Sequence, residues 1–294
     1  MRLNYSQPSE YLNDEHVIGF SKYLLDTIVG KKSFSCDLKR VNGKVYSLDV
    51  FKNGLNGYFW AGATYKETQK ILKELQSEIQ KAISEKNEKL CLLTSLSILD
   101  WGQVYRECVN WLVELAKNNE VVSSIDHSTK IIEGSAIIKQ DEFLALFDRG
   151  GKYRCNSGTT KIFALASDKS IIYDGRVACA LGMLILDYLA ENKLSYIPES
   201  LLFLMDADSK RNPSTKAMKF PSKSNLEYNL INQAVSNYKI NLILQSIEHD
   251  VNESGVFKKL ISSETETLRA IESVLFMVGY KVHSDKFTSH NKYF

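Results

Sequence analysis

A glycine turn followed by a predicted helix start holds the most chemically suggestive residues of this sequence, Gly158, Thr159, Thr160 and Lys161. Backbone N–H groups at a glycine-bearing helix start form a binding site for anions, and DNA phosphate is one natural occupant. Lys161 falls in the first helical turn. A lysine is unusual there because its charge opposes the helix dipole, so its presence calls for an explanation. These residues predict an anion-binding helix start.

Asp174 stands just before the next predicted helix, with Arg176 beside it. An aspartate in this position is most often only the N-cap of the helix, and that alternative stays open. Because the chain has a formal net charge of only +2, any DNA binding must come from local basic clusters. One such cluster surrounds this stretch and consists of Arg149, Lys152, Arg154, Lys161 and Arg176.

The segments SGTTK (157–161) and IIYDGRVA (171–178) together resemble the core of the helix-hairpin-helix DNA glycosylases. The similarity is closest to bacterial 8-oxoguanine-glycosylase-like proteins, some of which are associated with phage defence. Weaker similarity to the same group extends to LSILDWGQV (96–104), RNPS (211–214) and LRAIESVLFMVGY (268–280). The resemblance implies a mainly α, helix-hairpin-helix fold in two lobes.

In that family the lysine attacks C1′ of the sugar or lies near it, and the aspartate stabilises the developing sugar cation or activates the nucleophile. The resemblance assigns these roles to Lys161 and Asp174. The residue types suit the chemistry, because cleavage of an N-glycosidic bond builds positive charge on the sugar that a fixed carboxylate stabilises. The implied activity is excision of a modified base from double-stranded DNA to leave an abasic site, with an AP-lyase step if Lys161 is the nucleophile.

Three interpretations of this function are open. We favour removal of a hypermodified base, such as glucosylated hydroxymethylcytosine, from invading phage DNA. The second is base-excision repair of an oxidised purine such as 8-oxoguanine. The third belongs to another class, a non-enzymatic helical DNA-binding module in which the Gly158 helix start holds phosphate and Asp174 is only a cap.

Aromatic and basic residues outside the central stretch complete the predicted site. Trp60 and Trp101 are predicted to line a pocket for the extruded base, because base-acting enzymes stack the flipped base on aromatic side chains. Trp111 is expected to pack in the core. The polar segment from 205 to 225 carries basic residues and two of the four prolines, which indicates a loop. The predicted DNA contacts are Gly158, Thr159, Thr160, Arg154, Arg176, Lys210 and Arg211.

The chain of 294 residues, with 44% hydrophobic and 24% charged residues, has the composition of an ordinary globular protein. We expect one unit, made of an N-terminal segment (1–62), a helical body (63–280) that includes the catalytic segment (153–181), and a tail (281–294). Alternating residues around Asn42-Gly43 predict a small β-hairpin within 33–60. Thr64 and Glu67 predict a capping box for a helix over 64–84. Further helices are predicted over 103–118, 159–166, 176–190, 225–237, 240–251 and 265–278, with one or two short helices in 126–148 and a short apolar segment at 90–99.

Several kinds of site are not indicated by the sequence. The five cysteines form no C-x-x-C pair and the five histidines are scattered, so no metal site or iron–sulfur cluster is predicted. The glycine motifs of nucleotide-binding loops are missing as well, so no cofactor is predicted. Without a signal peptide or an apolar run near the ~20 residues that cross a bilayer, we expect a cytoplasmic, monomeric protein that does not associate with membranes.

Overall fold

The computed structural model describes residues 7–39, 45–49, 51, 54–104, 107–148, 150–223, 229–258, 261 and 266–280. Across these ranges the chain is mainly helical, which confirms the predicted fold class at that level. The helices are α1 (Pro8–Leu12), α2 (Glu15–Ile28), α3 (Tyr65–Ser84), α4 (Glu88–Trp101), α5 (Glu107–Lys117), α6 (Val121–Ile132), α7 (Gln140–Phe147), α8 (Thr159–Ala166), α9 (Gly175–Glu191), α10 (Asn229–Ser254) and α11 (Thr267–Val278). Short 3₁₀ turns lie at Gly54–Gly57, Glu199–Leu201 and Ser209–Arg211.

Two short strands, β1 (Ser35–Lys39) and β2 (Val45–Asp49), pair in an antiparallel ladder. Ser35 lies opposite Asp49, and Lys39 lies opposite Val45. The predicted Asn42-Gly43 turn between the strands lies outside the described residues.

Local capping signals position several of these helices. The predicted capping box at α3 is confirmed, because the Thr64 side chain accepts from the Glu67 N–H while the Glu67 carboxylate accepts from the Thr64 N–H. In α2, which the sequence analysis did not predict, the Asp14 carboxylate accepts from the N–H groups of His16 and Val17. An acidic cap in front of an apolar stripe was the signal that could have revealed this helix.

The C-terminal part of the prediction was wrong in one respect. Two helices were predicted over 225–237 and 240–251, but α10 runs without interruption from Asn229 to Ser254. No glycine or proline falls within it, and the polar residues around the predicted break, such as Asn237 and Lys239, are buried. Two further bounds differ from the prediction. The apolar segment at 90–99 lies within the longer helix α4, and α5 begins at Glu107 rather than at 103.

The buried side chains form two clusters. The smaller core contains buried hydrophobic residues of α3 to α6. The larger core contains the buried hydrophobic residues of α2, α9, α10 and α11. Helix α8 contributes to both, because Phe163 packs in the larger core while Ile162 and Leu165 pack in the smaller one. Trp111, expected in the core, is partly buried and packs against both clusters. Helix α8, which carries Lys161, therefore lies between the two cores.

Four of the five cysteines lie where the structure describes the side chain. Cys91, Cys108, Cys155 and Cys179 are each buried and free. Burial raises the pKa of each of these thiols. They are therefore poor nucleophiles at neutral pH.

Candidate active site

Lys161 is a buried amine, with only 6% of the residue exposed. Its Nζ donates to the backbone oxygen of Ser157 at 2.8 Å. Its aliphatic stem packs against Gly102, where an added Cβ would overlap the Lys161 Cδ atom. Burial lowers the pKa of the Lys161 amine, whereas the carboxylates of Asp174 and Glu272 raise it. The position therefore combines desolvation with nearby negative charge, a combination often found at functional lysines.

Asp174 is the N-cap of α9, as the alternative interpretation of this residue as a helix cap requires. Its Oδ1 accepts from the backbone N–H of Arg176 at 2.9 Å and from that of Val177 at 3.0 Å. Among the described residues, Oδ2 receives no hydrogen bond, and the side chain is only partly buried. One oxygen thus fixes the carboxylate at the start of α9.

Trp60 and Trp101, the two predicted pocket residues, lie side by side. The Trp60 indole N–H donates to the backbone oxygen of Trp101 at 3.2 Å, and their ring centroids are 6.2 Å apart. Both residues are partly buried. Trp101 ends α4 and is followed by Gly102, on which Lys161 packs. Trp101 is thus one residue from the glycine that the Lys161 stem contacts, and Trp60 lies beside Trp101.

Arg176 lies against three aromatic rings. The centre of its guanidinium is 4.3 Å from the ring of Phe276, 4.6 Å from that of Tyr280 and 5.5 Å from that of Trp60. Burial lowers the pKa of Arg176, and the Asp174 carboxylate raises it. The side chain links the start of α9 to the tryptophan pair by cation–π contacts. The sequence analysis did not single out Phe276 or Tyr280, although both lie in the segment 268–280 that it quoted.

Close packing at Gly279 brings these elements together. A Cβ at Gly279 would overlap the backbone oxygen of Arg176, so only glycine allows the end of α11 to approach the start of α9 this closely. Phe276 and Tyr280 flank that contact in the chain.

The helix start at Gly158 is capped from within the chain. The Asn156 carboxamide oxygen accepts from the N–H of Gly158 at 2.8 Å and from that of Thr159 at 3.0 Å. Gly158, Thr159 and Thr160 are buried, and a Cβ at Gly158 would lie 2.6 Å from the sulfur of Cys108. The glycine thus serves close packing, and phosphate binding by these three residues stays a prediction that requires the cap to open.

The other predicted DNA contacts differ in their surroundings. Arg154 forms an ion pair with the exposed carboxylate of Glu107, at 2.6 Å. Lys210 is exposed on the loop between α9 and α10, whereas Arg211 is partly buried. Arg211 lies near enough to Arg176 to lower its pKa. Of the two loop residues, Arg211 is the one placed beside the candidate site.

Glu272 is a buried carboxyl group that the sequence analysis missed. Its Oε2 accepts from the backbone N–H of Ile172 at 2.6 Å and pairs with the Arg269 guanidinium. Arg269 also donates to the backbone oxygen of Ala164 at 2.7 Å. Burial raises the pKa of the Glu272 carboxyl to about 7, although the Arg269 guanidinium acts to lower it. The pair fixes the segment that leads to Asp174 onto α11. The sequence signal that could have revealed Glu272 is an acidic residue within the apolar pattern of the helix predicted over 265–278.

A cavity of about 390 Å³ lies elsewhere, between α3, the turn at 167–170 and the start of α11. It is lined mainly by polar side chains, many of which bind one another. Asp168 accepts from the amides of Gln76 and Gln80, and Lys73 pairs with Glu266. None of the predicted site residues lines this cavity.

Comparison of the chain with protein-family models, with curated proteins and with solved structures finds no significant match. Within the described part of the chain, no cluster of three or more histidine, cysteine, aspartate or glutamate side chains is placed to hold a metal ion. Every described helix falls short of the length and apolarity needed to cross a bilayer. The resemblance in the quoted motifs and the geometry above are therefore the grounds for a functional proposal.

Proposed function

We propose that the protein is a DNA glycosylase of the helix-hairpin-helix type that flips a modified base out of duplex DNA and hydrolyses its N-glycosidic bond. The observation that carries this proposal is the meeting, in one place, of the Lys161 amine, the Asp174 carboxylate and the Trp60–Trp101 pair. These groups come from distant parts of the chain. The two hydrophobic cores, with α8 between them, support a two-lobed arrangement with this site at the junction.

In the proposed reaction each group has a separate task. The extruded base stacks on the indole rings, and this stacking stabilises the base outside the duplex. As the bond between C1′ and the base nitrogen breaks, the base departs with the bonding electrons and takes up a proton. The Asp174 carboxylate stabilises the positive charge that develops on the sugar. A water molecule, or an amine of the site, then bonds to C1′.

For the substrate we favour a hypermodified base of phage DNA, such as glucosylated hydroxymethylcytosine. The ground for this choice is the resemblance to glycosylases associated with phage defence. Repair of an oxidised purine such as 8-oxoguanine is the alternative within the same reaction class.

Mass spectrometry of released bases tests the proposed function. Duplexes that carry glucosylated hydroxymethylcytosine, 8-oxoguanine or only normal bases are incubated with excess protein. We expect release of a modified base from one of the first two duplexes and none from the third. Tight binding without release from any duplex would instead favour the non-enzymatic DNA-binding module.

Replacement of Trp101 by alanine is expected to lower the single-turnover rate of base release by about tenfold or more, because base–aromatic stacking contributes ~1–3 kcal/mol. The salt dependence of DNA affinity should not change, since stacking neutralises no phosphate. The control is Tyr196→Ala, which removes an aromatic ring that is 55% exposed and lies outside the candidate site. Equal rates for both folded variants would exclude Trp101 from the base pocket.

Simultaneous replacement of Lys210, Arg211 and Lys216 by alanine is expected to weaken binding of modified and unmodified duplexes alike. The log–log slope of affinity against salt should become shallower by about two to three, because each phosphate contact contributes about −0.9. Preference for the modified base should remain, since phosphate contacts position the protein without reading sequence.

The matched control for this prediction is a triple alanine variant with the same change of charge at Lys81, Lys86 and Lys89. These exposed lysines lie in the last turn of α3, in the connection after it and at the start of α4. It should retain the wild-type slope. If the two triple variants have the same slope, the loop does not touch the DNA backbone.

A further inference from the structure

A second amine, that of Lys223, lies beside Lys161. Lys223 belongs to the loop between α9 and α10, and its Nζ donates to the hydroxyl oxygen of Ser157 at 2.9 Å. The Nζ of Lys161 donates to the backbone oxygen of the same serine at 2.8 Å. Two lysine side chains from segments far apart in the sequence therefore converge on one residue, directly before the Gly158 helix start.

The backbone around Lys223 is held in place. The Met205 N–H donates to the oxygen of Pro221 at 2.8 Å, and the Lys223 N–H donates to the oxygen of Met205 at 3.1 Å. These bonds join Met205 to the segment 221–223 within that loop. Lys223 is thus anchored through its main chain as well as through its contact with Ser157.

The charges around the two amines favour loss of a proton from one of them. Burial lowers the pKa of Lys223, the carboxylates of Asp206 and Asp174 raise it, and the Arg211 guanidinium lowers it further. The charge of Lys223 also lowers the pKa of Lys161. A desolvated lysine next to another cation is one of the standard ways in which proteins obtain a nucleophilic amine.

The two amines differ in accessibility. Lys161 is only 6% exposed, its stem is covered by Gly102 and its Nζ is engaged by a backbone oxygen. Lys223 is partly exposed, and its Nζ donates to a side-chain hydroxyl. Of the two lysines, Lys223 is the more exposed.

We propose that Lys223 is the amine that bonds to C1′ of the deoxyribose, with Lys161 as the buried neighbour that binds the backbone of Ser157. The inference rests on the proposed function. In the step, the Lys223 nitrogen adds to the C1′ aldehyde of a ring-opened abasic sugar, and the resulting carbinolamine loses one water molecule. The product is an imine between Lys223 and C1′, which borohydride reduces to a stable secondary amine by donating a hydride.

Borohydride trapping on a duplex with a preformed abasic site tests the proposal, because this substrate does not require prior base release. Lys223→Arg keeps the positive charge but lacks the nucleophilic amine, and it should form at least ~10-fold less adduct while binding the duplex within about twofold of wild type. Peptide mapping should locate the wild-type adduct on Lys223. Lys161→Met, which preserves the length of the buried stem, should still form its adduct on Lys223. The control Lys219→Arg changes an exposed lysine of the same loop and should trap like wild type.

The result that overturns the proposal is an adduct on Lys161 with undiminished trapping by Lys223→Arg, or no site-specific adduct at all. The base-release assay, run in parallel, separates this inference from the proposed function. Base release without an adduct would leave the glycosylase proposal standing and exclude Lys223 as the nucleophile. An adduct on Lys223 without base release from any modified duplex would support Lys223 as the nucleophile and contradict the glycosylase proposal.

Discussion

An Asp174→Asn variant is expected to release the modified base at least ~10²-fold more slowly than the wild-type protein under single-turnover conditions, the scale of losing one dedicated electrostatic group. Asparagine is as good an N-cap as aspartate, so its side-chain oxygen can still accept from the N–H groups of Arg176 and Val177. The substitution therefore removes the charge and preserves the start of α9. DNA affinity should stay the same or rise, because a negative charge near the phosphates is lost.

The chain contains a matched control for this substitution. Asp14 caps α2 in the same way, with Oδ1 accepting from His16 at 3.0 Å and from Val17 at 3.1 Å. Asp14→Asn should release the base at the wild-type rate. If a folded Asp174→Asn variant also keeps that rate, Asp174 is only a helix cap and the proposed mechanism is wrong.

Replacement of Glu272 by alanine is expected to lower the free energy of unfolding by about 3–5 kcal/mol, the usual effect of breaking a buried ion pair. The variant leaves the buried Arg269 guanidinium without its carboxylate and the Ile172 N–H without an acceptor. Urea denaturation followed by circular dichroism measures the change. The effect should extend to the site, because Ile172 precedes Asp174 by two positions.

An exposed ion pair with the same spacing provides the comparison for Glu272. Glu114 and Lys117 are also three positions apart on one helix, but their side chains are 66% and 63% exposed. Glu114→Ala should change the free energy of unfolding by less than about 0.5 kcal/mol. A similarly small effect for Glu272→Ala would mean that the Arg269–Glu272 pair does not hold the segment before Asp174.

Local signals in the sequence were sufficient for the elements that present the site. The bounds of α8 were predicted as Thr159–Ala166, and α9 was predicted to within one residue at each end. The cap of α3 was also predicted from Thr64 and Glu67. Each of these features depends on side chains within one helical turn of one another, which is the range over which sequence patterns carry information.

The features that were missed depend on tertiary contacts. A break in α10 was predicted at 238–239, but Lys239 is buried and its Nζ donates to the backbone oxygen of Glu199 at 3.1 Å. Likewise, Lys223 meets Ser157 from 66 positions away, and Glu272 meets Ile172 from 100 positions away. Such partners satisfy buried charges through the fold, so no local pattern reports them.

The position of α8 between the two cores has a mechanical consequence. A rearrangement that separates the clusters must withdraw Phe163 from one or Ile162 and Leu165 from the other, so it must change the position of Lys161 relative to one of the two clusters. Under the proposed function, with a duplex bound between the clusters, binding of the DNA and alignment of the reactive groups would become a single requirement. A substrate that distorts α8 incorrectly would bind but react slowly, so selectivity in such a site would be expressed in the rate of the chemical step rather than in affinity.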